Sequence, residues 1–226
     1  MYGIILTDQI LLREAANKGA ATSHRTQLER FDWLAAALEI FISEGIDAVR
    51  ITKLAKTLAV TRGSFYWHFS NRDDLIEALV HYWQNKNTPA LLTAIENPET
   101  LDDGILNFFE ACVDESLFDS RLDLALREWA RRSEEIQKEV EKADQERITG
   151  IQRMFDSFDF PRPESLIRAR VIYFAQIGFY ALDVKEPMST RISYTEAYYS
   201  AFTGRTLDTV KLKTFQSRMN KNFGEQ

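Results

Sequence analysis

Apolar residues recur at three- and four-residue spacing along most of the chain, and no stretch alternates with the period of a strand. The pattern predicts an all-α protein. Its most informative part is Ile51-Thr-Lys-Leu-Ala-Lys-Thr-Leu-Ala-Val60-Thr-Arg-Gly-Ser-Phe-Tyr-Trp-His-Phe69. Ile51, Leu54, Ala55 and Leu58 share one face of a short helix predicted from Thr52 to about Leu58, while Lys53, Lys56 and Thr57 fall on the other side. Ala59-Val60 makes a tight turn, with Val60 placed to plug the angle between two helices. Thr61 is a suitable N-cap for the second helix, because its hydroxyl can accept a free backbone N–H. Phe65 and Phe69 lie four apart and face inward, and Trp67 reads with them as a packing residue. Arg62, Gly63, Ser64, Tyr66 and His68 remain nearer the outside. A further helix is predicted from Asn71 to about Trp83.

Beyond residue 86 the pattern stays helical. Breaks fall at Asn87-Thr-Pro89, Asn97-Pro98, Asp119-Ser120, around Ser133, at Phe160-Pro-Arg-Pro163, at Glu186-Pro187 and at Thr203-Gly204. Thr100 or Asp102 caps a helix running to about Phe118. Leu122, Leu126, Trp129 and Ala130 face inward on the next. Ser133 caps a helix to about Phe158, with Glu134 and Glu135 well placed in its first turn. Residues 164–182 are apolar nearly all round, and such a helix is buried on more than one side. One side is expected to meet the chain's own core and the other a partner subunit, with Ala175 and Gly178 permitting close approach. The following helix, about 190–202, offers Tyr194, Tyr198, Tyr199 and Phe202, a surface suited to an interface core. A homodimer through these two helices of each chain, about 164–182 and 190–202, is the expectation.

The exposed half of residues 51–69 changes the picture from packing to chemistry. Arg62 can give guanine a bidentate pair of hydrogen bonds, or bind phosphate. Gly63 has no side chain, so backbone can approach a groove wall. Ser64, Tyr66 and His68 can donate to phosphate oxygens, which fix register without reading sequence. A helix-turn-helix places its second helix in the major groove of double-stranded DNA, with the N-terminal residues at the bases. Arg50, Thr52, Lys53, Thr61, Trp67 and Arg72 complete the expected contact set.

Composition bounds the rest. The chain has 226 residues, enough for one or two domains with a real core. No apolar run is long enough to span a bilayer, so no membrane role is expected. The start, Met1-Tyr-Gly-Ile-Ile-Leu, lacks the basic region of a signal peptide. The single cysteine, Cys112, cannot form an internal disulfide and reads as a small buried residue in a reducing cytoplasm. The net charge of −6 looks wrong for DNA until it is mapped. Residues 24–86 hold eight basic and eight acidic side chains, and the first 23 residues hold two of each, so the whole excess lies beyond residue 86. An acidic body behind a neutral head with a basic face fits a binder oriented by its own field.

Residues about 31–83 resemble the N-terminal domain of the TetR (tetracycline-repressor) family of transcriptional regulators. The resemblance is carried by Phe31-Asp-Trp-Leu-Ala-Ala-Ala-Leu-Glu-Ile-Phe-Ile-Ser-Glu-Gly45, by Leu54-Ala55, by Val60-Thr-Arg-Gly-Ser-Phe-Tyr-Trp-His-Phe69 and by Asn71-Arg-Asp-Asp-Leu75. Arg50 stands where the family usually caps with Thr or Ser, so Asp47 or Thr52 is the expected cap. Arg72 replaces the common Lys and keeps the charge. A looser likeness to one branch's effector domain runs through Leu124–Arg132, Val140, Asp144–Arg147, Ala169-Arg170, Tyr173 and Gly178, with Ser133-Glu134 in place of the usual Asp-Pro.

The resemblance implies an N-terminal three-helix helix-turn-helix DNA-binding domain plus a C-terminal helical effector and dimerisation domain. The corresponding boundaries are an extension over 1–28, the DNA-binding domain over 29–83 and the helical domain over 84–226. It implies a regulator, most often a repressor, that leaves a palindromic operator when a small-molecule effector binds the C-terminal domain. Phe109, Cys112, Trp129, Tyr173, Gln176 and Tyr180 are the candidate ligand contacts, with Trp83, Phe108 and Phe118 beside them, although each taken alone reads more readily as core. An aromatic-lined apolar pocket suits a flat or lipophilic compound. A regulator acting through a protein partner without any ligand is the alternative.

An enzyme has little support. His24, His68 and His81 lack metal-ligand spacing, and there is neither a Gly-rich phosphate loop nor a Gly-x-Ser-x-Gly elbow. Glu134-Glu135 and Asp102-Asp103 read as helix starts. No metal or cofactor is expected. In the extension, Ile4-Ile-Leu and Ile10-Leu-Leu can form an added helix, and Lys18, His24, Arg25 and Arg30 can send an arm along the phosphates or into the minor groove. A mobile terminus is the simpler expectation.

Overall fold

The computed structural model describes residues 28–224; the expectations for the added helix and for Lys18, His24 and Arg25 lie outside them. The described residues form eleven α-helices, one 3-10 turn and no strand. They are α1 (Arg30–Glu44), α2 (Ile51–Thr57), α3 (Arg62–Phe65), α4 (Arg72–Ala94), α5 (Leu101–Val113), α6 (Ser120–Ala130), α7 (Glu134–Asp156), α8 (Glu164–Ala181), α9 (Met188–Ser193), α10 (Thr195–Thr203) and α11 (Thr209–Phe223). The 3-10 turn, Ile46–Ala48, lies between α1 and α2.

Two compact units divide the chain. The first, a head unit, takes residues up to Asn87 together with Asp119–Val140; the second, a body unit, takes Thr88–Phe118 and the residues from Glu141 onward. The division differs from a single boundary after residue 83, because α6 and the start of α7 group with the head.

In the head unit, α1 begins with a reciprocal cap between Glu29 and Asp32 and stops at Gly45, whose φ of 83° admits no ordinary side chain cheaply. Trp33 and Phe65 meet edge to face at 5.3 Å, and Phe65 stacks on Phe69 at 5.5 Å. All three are buried. They hold the short α3, which has too few residues to stand alone as a helix. On the other side Phe41 packs edge to face on Trp129 of α6 at 5.9 Å. Trp83 donates from Nε1 to buried Asp123 at 2.9 Å, and Arg127 pairs with the other oxygen of the same carboxylate at 2.8 Å.

Several predicted boundaries shift. The break expected at Asn87-Thr-Pro89 does not occur, and α4 runs on through Pro89. Tertiary bonds hold the helix there. The Asn87 side chain donates to the Asp119 carbonyl at 2.9 Å and accepts from the Asp119 N–H at 3.1 Å. Within the body unit, the Thr88 hydroxyl accepts from Arg147 at 2.9 Å. The helix expected from Thr100 to Phe118 ends at Val113, and the one expected over 190–202 is two helices joined at Tyr194.

The body unit has one apolar core, with Ile105, Phe108, Ile151, Phe155, Ile172 and Phe215 buried in it. Thr100 caps α5, accepting from the Asp103 N–H at 3.3 Å. Arg147, fully buried, donates to the Tyr173 hydroxyl at 3.2 Å, and that hydroxyl donates to Asp144 at 2.6 Å. Lys211–Asp103 at 2.5 Å and Arg218–Glu110 at 2.6 Å tie α11 along α5. The Asp103 carboxyl is pushed up by burial, but the Lys211 ammonium and the Thr100 hydroxyl more than offset this and hold it below the usual range. Among the described residues no helix is long and apolar enough to cross a membrane.

Candidate functional site

The turn between α2 and α3 closes by a backbone device. The Val60 N–H donates to the Ala55 carbonyl at 2.9 Å and the Ala59 N–H to Lys56 at 3.2 Å, the two bonds of a Schellman motif. Ala59 occupies the left-handed position at φ 53°, where glycine is usual. Neither expected side-chain cap forms. Thr61 makes no capping hydrogen bond at α3, and neither Asp47 nor Thr52 caps α2. Backbone takes over: Lys53 and Leu54 N–H groups bond the Arg50 carbonyl at 2.9 and 3.0 Å, and the Ser64 N–H bonds the Thr61 carbonyl at 3.1 Å. The Thr61 hydroxyl is thereby left available at an exposed helix start.

Arg62 and Gly63 open α3 and are exposed, with Ser64 half-buried behind them. Arg62 makes no side-chain hydrogen bond or ion pair with any described residue. A Cβ added at Gly63 would meet only Thr61 Oγ1, at 3.6 Å, so the protein itself leaves room for one. Tyr66 is 60 % exposed and Trp67 87 % exposed. Trp67 is therefore not the packing residue that its neighbours suggested: it falls between Phe65 and Phe69, which already fill the inward face. His68 is half-buried, and its carbonyl accepts from Arg30 Nε at 3.2 Å.

The remaining cations divide into available and committed. Arg50 is exposed, with Nε on the Asp47 carbonyl at 2.9 Å; Thr52 is exposed; Lys53 is paired with Glu44. Arg72 bonds the Val49 carbonyl at 2.6 Å and the Ile46 carbonyl at 2.7 Å, so it clips the start of α4 to the segment before α2. Its main bonds are structural, which charge alone did not reveal. Arg30, read as part of an arm, is held in the head. It pairs with Asp74 at 3.1 Å and lies over the Phe69 ring at 4.2 Å. Asp74 is held below the usual carboxylate range, first by the Ser70 backbone N–H and then by Arg30.

The body unit holds an apolar cavity of about 130 Å³ among α5, α8, α9, α10 and α11. Of the candidate ligand contacts, Phe109 and Gln176 line it, and the Gln176 Nε2 atom is buried without a hydrogen-bond partner. Cys112, Tyr173 and Tyr180 lie in the same unit but outside the lining. Cys112 is buried, and burial pushes its thiol up to about 12. The Tyr180 hydroxyl donates to the Cys112 carbonyl and its ring stacks on Phe118 at 5.8 Å; burial raises its pKa well above the usual value. Trp129 belongs to the head unit. Arg191, Phe202, Phe215 and Met219 also line the cavity and were not among the candidates. The four-residue spacing of Phe215 and Met219 on α11 is the signal that marked an inward face there.

The profile of the family described as "Bacterial regulatory proteins, tetR family" matches residues 34–79, the stretch that holds α1, α2, α3 and the first turns of α4. Residues 34–79 thus form a TetR-type DNA-binding head. The chain is 34% identical over 65 residues to the HTH-type transcriptional regulator SrpR of Pseudomonas putida, which covers 29% of each chain. It is 39% identical over 54 residues to the tetracycline repressor protein class G of Vibrio anguillarum, covering 24% of this chain and 26% of that one. The matched stretch thus spans under a third of the length of these two curated relatives. In fold, a TetR-family transcriptional regulator from Marinobacter aquaeolei superposes with a TM-score of 0.58 at 16% identity, over 85% of this chain and 97% of that one. Sequence likeness is thus concentrated in the TetR head, while likeness of fold extends through the body.

Proposed function

We propose that this chain is a sequence-specific DNA-binding transcriptional regulator. It acts as a homodimer and represses by occupying a palindromic operator, from which a small molecule in the body cavity releases it. One observation carries the DNA-binding part: α3 and the turn after it present Arg62, Gly63, Tyr66 and Trp67 to solvent while Trp33, Phe65 and Phe69 hold them from behind. A protein that needed α3 only for stability would gain nothing from a free arginine, a bare glycine and an exposed indole together. The dimer reading rests on α8. Ile167, Val171 and Phe174 are 51, 47 and 57 % exposed, a stripe of large apolar side chains at helical spacing, and a Cβ at Gly178 would meet nothing within 4 Å. Such a stripe in water marks an interface. Tyr194 and Tyr198 add exposed rings from the neighbouring segment. The release reading rests on the cavity and its unpartnered amide.

Selection of bound sites from random duplex DNA by the full-length protein tests the proposal. Recovery of a palindrome with half-sites about one helical turn apart, or somewhat more, is expected. Recovery of no shared sequence would overturn it.

A further inference from the structure

We infer that the body cavity takes a small aromatic carboxylic acid, its ring among the phenylalanines and its carboxylate on Arg191. This rests on the reading of the cavity as the effector site. Four observations carry it. The first is size: a cavity of about 130 Å³ is close to the ~150 Å³ apolar cavity that accommodates benzene, so it suits a single ring. The second is the wall, where Phe108, Phe109, Phe202 and Phe215 present aromatic surface to the space.

The third observation is the cation. Arg191 lines the cavity with its guanidinium lying over the Phe179 ring, 4.3 Å from the centroid. The ring contact restrains the side chain, and a guanidinium with no carboxylate partner can grip a carboxylate with two bonds. Four other cations of this unit have carboxylate partners: Arg168 has Glu164, Lys211 has Asp103, Arg218 has Glu110 and Arg162 has Asp156. Arg191 makes no ion pair with any described residue. The fourth observation is the Gln176 amide, whose enclosed Nε2 makes no hydrogen bond of ordinary geometry although the Tyr180 hydroxyl lies close to it. A buried donor without a partner destabilises the fold, and a ligand oxygen placed there would remove that cost.

Glu186 lines the same cavity, which makes a cationic amine the competing occupant. The carboxylate is the less prepared of the two charges. It sits on the irregular stretch between α8 and α9, next to exposed Lys185 and Pro187, with no ring or hydrogen bond holding its side chain. Arg191 is held by a ring.

Calorimetric titration of the full-length chain with benzoate, benzamide and benzylamine separates these chemistries. Benzoate should bind tightest, benzamide at least tenfold more weakly and benzylamine weakest. Arg191→Gln should reduce benzoate affinity at least tenfold and benzamide affinity less than threefold. Arg191→Lys, which keeps the charge, should fall between wild type and Arg191→Gln. Thermal unfolding of each variant without ligand establishes that it is folded. Tighter binding of benzylamine, lost in Glu186→Gln, would overturn the inference, as would equal benzoate affinity in wild type and Arg191→Gln, or no binding of benzoate at millimolar concentration. The regulatory reading is read out separately, by operator affinity with and without ligand. Benzoate that binds through Arg191 without changing operator affinity supports the cavity chemistry and defeats effector release. An amine that binds and releases the operator does the reverse.

Discussion

At Gly63 stability and DNA affinity come apart. A methyl group there meets only Thr61 Oγ1 at 3.6 Å, an ordinary contact, and alanine is the better helix former by about 1 kcal/mol. Gly63→Ala should therefore leave the thermal midpoint unchanged or slightly raised, yet weaken operator binding at least several-fold by holding the backbone off the groove wall. Unfolding scans and gel-shift titrations of the same preparation check both halves; unchanged DNA affinity would remove Gly63 from the interface. Cys112 makes the opposite kind of residue, closed and inert. Burial raises its thiol from 9.0 to about 12, so the protonated form is the one the folded chain accepts. Its contribution is fully present below pH 9 and is lost as pH rises from 9 through about 12, at no more than about 1.4 kcal/mol per pH unit. Burial raises Tyr180 as well, which adds to the alkaline loss above its ordinary value of 10.0. Urea midpoints followed from pH 8 to 10 should fall less steeply in Cys112→Ala than in wild type.

Among the elements, the α2–α3 turn departs from the best local choice. Ala59 holds φ at 53°, and a left-handed alanine costs roughly 1–2 kcal/mol, against the 0.5–1 kcal/mol that glycine loses in chain entropy. Ala59→Gly should raise stability by up to about 1 kcal/mol with the Schellman bonds intact, measured as a shift in the urea midpoint. A loss of stability would show that the turn carries no strain. The turn was legible in the sequence because Leu54, Ala55 and Leu58 stop being periodic just where Ala59-Val60 begins. Its caps were not. Thr61 has the right hydroxyl, but the Ser64 N–H bonds the Thr61 carbonyl and no donor meets that hydroxyl; at α2 the Lys53 and Leu54 N–H groups bond the Arg50 carbonyl. Pro89 misled for a related reason. Proline removes one helical bond, yet the paired Asn87–Asp119 contacts, made across a long sequence separation, keep α4 continuous. Arg72 likewise looked like surface charge until the Val49 and Ile46 carbonyls were seen to hold it.

For the whole molecule the proposed dimer rests on the exposed stripe on α8. An isolated chain leaves Ile167, Val171 and Phe174 about half exposed, and a glutamate in the middle of that surface would have to be desolvated to re-form a dimer. Phe174→Glu should sediment as a monomer at concentrations where the wild type is dimeric, with its unfolding midpoint at low concentration little changed. If both chains sediment alike, α8 is not the interface. Apolar period alone located this helix within a residue or two, but it could not say which side stayed open. The cavity was harder to read. Phe109 and Gln176 were identifiable as aromatic and polar members of one core, whereas Arg191 belongs to α9, a six-residue helix with no periodic signal of its own. The central claim is that α3 reads DNA through Arg62, and it is tested most directly by titrating the selected operator, in one buffer of fixed salt, with wild-type protein and Arg62→Ala. Loss of about 1–3 kcal/mol on the operator, with a much smaller change on unrelated duplex, is the result expected of a base-reading arginine. Equal operator affinity for the two proteins would contradict it.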